Sequence, residues 1–112
     1  MKYKNKKTTI DGIVFDSKKE ASRYLTLKAM EKAGEISGLT LQERFHLLDG
    51  VKIAGESRKR PSVRYIADFV YLNRYGEQVV EDVKSAITKK DKTYRLKKHL
   101  MKIVHGIDVV EI

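Results

Sequence analysis

The chain has no cysteine. That excludes disulfides and cysteine-ligated zinc, and it fits a reducing compartment. No apolar run approaches the roughly 18 residues of a membrane span, so no membrane partner is expected. Aromatic residues make up only 8%, and no RNA-recognition pattern appears among them. No helix-turn-helix or zinc finger is visible, and His46, His99 and His105 lack zinc-ligand spacing. The opening Met1-Lys2-Tyr3-Lys4-Asn5-Lys6-Lys7 is basic but leads into no signal-type apolar stretch. These absences together favour a cytoplasmic protein.

Acidic residues are also scarce relative to basic ones. Twenty-four Lys and Arg face fifteen Asp and Glu, for a net charge of +9. Such an excess favours a polyanionic partner, nucleic acid above all, against the plainer reading of charge kept for solubility. The 112 residues are enough for one domain, expected over 10–112 behind a loose basic arm at 1–9.

Pattern and punctuation outline the elements. Ile10-Asp11-Gly12-Ile13 signals a hairpin. Ser17-Lys18-Lys19-Glu20 has capping-box spacing and starts a helix ending near Gly34, with Glu20, Tyr24 and Leu27 on one face and Ala21 and Leu25 beside it. Strands are expected across 39–48, 63–72 and 77–85, a helix across 93–104 burying Leu96, Leu100, Ile103 and Val104, and a last strand across 107–112. The order helix, three strands, helix, strand describes a mixed α/β (α+β) layer.

The hairpin over residues 63–85 carries the chemistry. Strict alternation groups Arg64, Ile66, Asp68, Val70 and Leu72 on one face, and Val63, Tyr65, Ala67, Phe69 and Tyr71 on the other. A carboxylate at Asp68 is costly in so apolar a strand. Arg74-Tyr75-Gly76 suits a three-residue loop closed by a left-handed Gly76, which pairs Asn73 with Glu77 and sets Asp68 opposite Asp82. A loop one residue shorter or longer would bring Glu81 to that face instead. In the favoured register Lys84 joins the two aspartates. Two close carboxylates repel unless one takes a proton or a cation intervenes, and oxygen ligands suit Mg²⁺ or Mn²⁺. The plainer reading is an ion cluster neutralised by Lys84.

At these residues the sequence resembles a known superfamily. Asp68, followed after a hairpin by Asp82-Val83-Lys84, is similar to the D…(D/E)-x-K signature of the PD-(D/E)XK, or restriction-endonuclease-like, nucleases. With Asp16-Ser17-Lys18-Lys19-Glu20-Ala21 and Tyr65-Ile66-Ala67-Asp68-Phe69, it looks like a phage and prophage family within that superfamily. Ala67 stands where the signature has proline. The resemblance implies a central mixed sheet flanked by helices. It further implies metal ligation by Asp68, Asp82, the Val83 carbonyl and Glu20, with Lys84 assisting the nucleophile in hydrolysis of DNA. Glu81 is a reserve ligand, should a bulge exchange it with Asp82.

Other candidates have competing readings. Glu20 serves either the metal shell or the capping box. Tyr94, Lys97 and Lys98 border the active site or form a solvated face, and Thr88 is a cap or a phosphate contact. Arg58, Lys59, Arg60, Lys89 and Lys90 are expected to meet phosphates, which supplies affinity without reading sequence. The expected activity is therefore structure-selective DNA cleavage, as by a Holliday-junction or branched-DNA resolvase, with a homodimer needed to cut two strands symmetrically. The competing function is a catalytically silent DNA-binding or adaptor protein of the same fold.

Overall fold

A computed structural model describes residues 6–112. A short hairpin opens it, β1 (Thr8–Ile10) against β2 (Ile13–Phe15). Asp11 and Gly12 hold φ of 52° and 74°, the paired left-handed values that a two-residue turn between twisted strands requires. Thr8 and Thr9 therefore belong to a strand, which corrects the expected arm over 1–9. Its first five residues lie outside the described ones.

Helix α1 spans Lys18–Lys32, and the Ser17 side chain caps it by accepting from the Glu20 amide at 3.1 Å. Its inner face is Glu20, Ala21, Tyr24 and Leu27. Leu25, expected beside them, is exposed. Next come β3 (Ser37–Leu48), β4 (Val63–Leu72) and β5 (Gln78–Asp82). A single turn α2 (Ala86–Lys89), helix α3 (Lys92–His105) and β6 (Val110–Glu111) complete the chain. The expected order holds behind the expected opening hairpin, with α2 added, and the fold is mixed α/β. The fifth and sixth strands are shorter than the sequence suggested.

The main sheet has the order β3-β4-β5-β6, antiparallel except for the parallel pair β5–β6. Two apolar clusters lie on its two faces. One joins Phe15, Ala21, Tyr24, Leu27 and Ile36 to Phe69 and Tyr71. The other joins Leu47, Tyr65, Ala67, Val70 and Val80 to Tyr94, Met101 and Val109. The buried face of α3 is thus Tyr94 and Met101. Leu96, Ile103 and Val104, expected inside, are 59%, 67% and 44% exposed, and Leu100 is half-buried. The helix carries two apolar stripes, and the one that docks places Tyr94 and Met101 in the apolar cluster, with the Tyr94 hydroxyl donating to Glu111 Oε2 at 2.6 Å on β6. Among the described residues no helix is long and apolar enough to cross a membrane.

Candidate active site

The β4–β5 turn brings the acids together. Asn73 donates its amide to the Glu77 carbonyl at 2.9 Å, Gly76 has φ of 77°, and the ladder runs Leu72↔Gln78, Tyr71↔Val79, Val70↔Val80, Phe69↔Glu81. One step further along the same register sets Asp68 opposite Asp82. The left-handed glycine fixes the loop at three residues, and the loop length fixes the parity of every pair beyond it.

Besides register shifts near the two ends of β3, between Ser37 and Thr40 and between His46 and Leu48, alternation of faces fails in the middle of β3 and β4. On β3, Leu39 and Leu41 pack with the α1 cluster, but Phe45 and Leu47 pack with the α3 cluster. On β4, Tyr65 and Ala67 face α3, while Phe69 and Tyr71 face α1. Both strands change phase at the same level. There Leu41 pairs with Phe69 and Glu43 with Ala67, and the residues between them, Gln42 and Asp68, form no ladder pair. Gln42 has φ of 55°. Such local breaks re-aim side chains. This one moves Tyr65 onto the Asp82 side, so the expected face assignment along β4 holds only up to Asp68.

The result is a row of three carboxylates with Asp68 in the middle. Asp68 lies within hydrogen-bonding range of Glu20 on α1 and of Asp82 on β5. Its Oδ2 accepts from the Val83 amide at 2.8 Å and its Oδ1 from Gln42 Nε2 at 3.3 Å. Asp82 Oδ2 accepts from the buried Tyr65 hydroxyl and stands 3.5 Å from Lys84 Nζ. Burial first, and the Asp68 carboxylate second, push the Asp82 carboxyl up to about 7. Burial and then the charges of Asp68 and Asp16 push Glu20 up to about 7 as well. Glu20 and Asp82 are thus held where burial and the neighbouring Asp68 carboxylate resist their ionisation.

Space for a ligand adjoins them. Glu20, Asp68, Val83, Lys84 and Thr88 line a cavity of about 280 Å³ with Asp16 and Ser17. Asp82, Tyr65, Tyr94, Lys84 and Thr88 line a neighbouring one of about 390 Å³. Lys84 stands between the two, its amine 4.6 Å from the Tyr94 ring centroid. Its carbonyl accepts from Lys19 Nζ at 3.1 Å, which ties α1 to this strand end. Among the described residues no three His, Cys, Asp or Glu side chains stand, as they are, in an arrangement that could hold a metal ion.

Glu81, the reserve ligand, is directed elsewhere. It accepts a bidentate pair from Arg23 at 2.8 and 2.6 Å and a further hydrogen bond from the Tyr71 hydroxyl, all on the α1 face. Its lone pairs are engaged, and Asp82 remains the acid that meets Asp68.

Comparison of the sequence with known families gives a match over residues 1–107. The chain belongs to the family described as protein of unknown function (DUF1064). No curated protein and no solved structure matches it. The family match takes in the whole acidic row, Lys84 and α3, and stops before β6 and Glu111.

The other candidates of this family member are dispersed. Glu20 has its amide in the Ser17 cap and its carboxylate turned to Asp68, so cap and site share the residue without competing. Thr88 completes a capping box with Ser85 at the start of α2 while facing Lys84 across both cavities. Lys89 and Lys98 line a separate cavity of about 460 Å³ between α3 and β6, with Arg95, His99 and Lys102. Lys98 Nζ lies 3.4 Å from Glu111 Oε2. Lys90 caps the end of α2 and is exposed. Arg58, Lys59 and Arg60 sit in the loop before β4, and Arg60 is held by Glu56 at 2.9 and 2.7 Å. That loop meets β4 at Val63, five residues or roughly 16 Å of strand from Asp68. It is not brought to the acids.

Sequence reasoning missed Tyr65, Gln42 and Arg23. Tyr65 and Gln42 depend on the phase change, which alternation cannot foresee. Arg23 was within reach, because buried Glu81 needed a cation, and Arg23 lies one turn beyond Glu20 on a helix already assigned to the core.

Proposed function

We propose that this chain is a divalent-metal-dependent DNA endonuclease of the PD-(D/E)XK type. The observation that carries the reading is the meeting of Asp68 and Asp82 across the β4–β5 hairpin with Lys84 Nζ 3.5 Å from Asp82, in a chain of net charge +9. A protein that only bound DNA would gain nothing from carboxylates facing phosphate.

The donor set suits a hard dication. Asp68 and Asp82, with Glu20 and the Val83 carbonyl beside them, are oxygen ligands in the class Mg²⁺ and Mn²⁺ take. Glu20 and Asp82 are held partly protonated at neutral pH by burial and by the Asp68 carboxylate, a state that a cation relieves. The ion, when bound, would polarise a phosphoryl oxygen and acidify a water. The protein's own contribution is positional. Lys84 presents an ammonium to the phosphate or the attacking water, where it offsets developing negative charge. Tyr65 holds one Asp82 oxygen. Water would add in line at phosphorus, and the P–O3′ bond would break to leave a 5′-phosphate and a 3′-hydroxyl.

The scattered basic groups support contact with backbone phosphates rather than sequence reading, and so a structure-selective enzyme acting on branched or forked DNA, with phage recombination or replication as its setting. Symmetric cleavage of a junction would require a homodimer. The second reading, a silent DNA-binding or adaptor protein, is favoured by one observation: the acids, as they stand, form no three-ligand metal group.

One experiment separates the two. Four-way junctions, flaps, linear duplex and single strands are incubated with the protein and Mg²⁺, with EDTA and the near-isosteric Asp82→Asn variant as controls. Cleavage that EDTA abolishes and that Asp82→Asn lowers at least about 1,000-fold, on the order of 4 kcal/mol of barrier, is the expected result. Binding without turnover under every condition would establish the adaptor. Equal rates on all substrates would remove the structural selectivity alone.

A further inference from the structure

Gln42 occupies a backbone conformation that a glutamine adopts at a cost. Its φ of 55° lies in the left-handed region, where a side chain crowds the following carbonyl and glycine is the low-cost residue. Among the described residues the other positive-φ positions are six glycines and Asp11. Asp11 sits in an Asp-Gly turn that suits it. Gln42 stands alone as a non-glycine in this region within a strand, and it is exposed, so no burial of its side chain demands the residue.

The phase change of the two strands does not demand it either. A glycine there would allow the same break in the ladder with less strain. What a glycine lacks is the amide, and the amide donates to Asp68 Oδ1 at 3.3 Å. The second oxygen, Oδ2, is taken by the Val83 amide at 2.8 Å. One donor on each oxygen, from β3 on one side and from the end of β5 on the other, fixes both the position and the rotation of the carboxylate. Strain of this kind persists where the surroundings enforce it, and it clusters at functional sites.

We propose that Gln42 is a positioning residue for the Asp68 carboxylate, with its left-handed backbone serving to aim the side-chain amide. The consequence for a metal ion rests on the nuclease reading above, whereas the positioning itself does not.

Two substitutions separate side chain from backbone. Gln42→Gly relieves the strain and removes the donor. Gln42→Met keeps the length and the strain and removes only the donor. Three quantities are measured on each: thermal midpoint, the Val83 amide proton resonance, and Mn²⁺ affinity by calorimetry. In Gln42→Gly the midpoint is expected to stay level or rise, while the Val83 resonance moves as its acceptor reorients. Both variants are expected to bind Mn²⁺ about tenfold more weakly, the lower end of what loss of a ligand's hydrogen-bond partner costs. An unmoved Val83 resonance in both variants overturns the inference, whatever the metal does. A Mn²⁺ affinity unchanged from a wild type that binds it confines Gln42 to the fold and overturns its role toward the ion. A wild type that takes up no Mn²⁺ sinks the nuclease reading, and the Val83 resonance then decides the positioning by itself.

Discussion

Glu81 and Asp82 are neighbours on one strand, both almost wholly buried, and they are treated in opposite ways. Glu81 points towards α1 and meets a bidentate guanidinium and a tyrosine hydroxyl. Asp82 points towards α3 and meets a tyrosine hydroxyl, a lysine at 3.5 Å and another carboxylate. The first acid is neutralised locally. The second is buried in like-charge company, and burial first and the Asp68 carboxylate second raise its pKa, as they do that of Glu20. A buried acid with a complete set of partners serves the fold. One held beside other acids is a debt that only a proton or an outside cation can settle, and that difference separates a structural cluster from a candidate site.

The comparison breaks most visibly if the partners are removed one side at a time. Arg23→Ala strands Glu81 in the core and is expected to cost about 3 kcal/mol of stability, the usual scale for breaking a buried pair. Lys84→Met removes the amine near Asp82 and is expected to change stability by no more than about 1 kcal/mol, because that amine sits at the rim. Cleavage should follow the opposite order, surviving Arg23→Ala below its lowered melting point and lost in Lys84→Met. Urea unfolding of both variants tests the first half. If Lys84→Met proved the more damaging to stability, the acidic row would be a structural ion cluster after all.

The pH dependence of stability probes the same contrast. Glu20 and Asp82 have folded-state values near 7, above their unfolded values. The folded protein therefore binds protons that the unfolded chain has released. Stability from this source is complete below the unfolded values and disappears as pH rises through about 7. Without divalent ions, each of the two groups should lower the free energy of unfolding by roughly 2.5 kcal/mol between pH 5 and pH 8, about 5 kcal/mol together. Glu31, Glu56 and Glu111 are shifted the other way, so their contribution is lost only further into acid. In Asp82→Asn the slope between pH 5 and pH 8 should shrink. Saturating Mg²⁺ should lift the pH 8 value most. A slope indifferent to both would mean that the two acids are not the source.

Local chemistry was legible in the sequence, and the phase of packing was not. Gly76 gave the loop length, and the loop length gave the β4–β5 register, because only one residue type takes that left-handed position cheaply. Ser17 and Gly106 marked helix ends for similar reasons, and Gly106 is observed at φ of 68°. Helix α3 shows the limit. Its apolar residues fall on two stripes, and the expected buried set is Leu96, Leu100, Ile103 and Val104. The stripe that docks holds Tyr94, whose hydroxyl finds Glu111 near the far end of the chain. A contact 17 residues away leaves no trace in the local pattern. Gln42 and Asp68 mark the same limit in the sheet. Each strand reads as regular by itself, and only their pairing reveals a common break. Asp68, Asp82 and Lys84 could be grouped in advance because they depend on one turn. Tyr65 could not, because it depends on two paired strands changing phase together.

Tyr65 sharpens the comparison at the smallest scale, because each of the two acids has its own tyrosine. The Tyr65 hydroxyl bonds Asp82, and Tyr71 bonds Glu81. A hydroxyl donor favours the ionised carboxylate, and Tyr65 accordingly lowers the Asp82 value against the burial that raises it. Tyr65→Phe should therefore push Asp82 up further. Where Asp82 is ionised, at pH 8, the loss should be about 1 kcal/mol, the net worth of one buried hydrogen bond. At pH 5 Asp82 carries its own proton and the loss should be smaller. Tyr71→Phe should show a weaker dependence on pH, since Glu81 still accepts the bidentate pair from Arg23. Chemical unfolding of the two variants at both pH values distinguishes them. If the two losses were equal at each pH, the surroundings of the two acids would be electrostatically alike, and the contrast between them would have no energetic content.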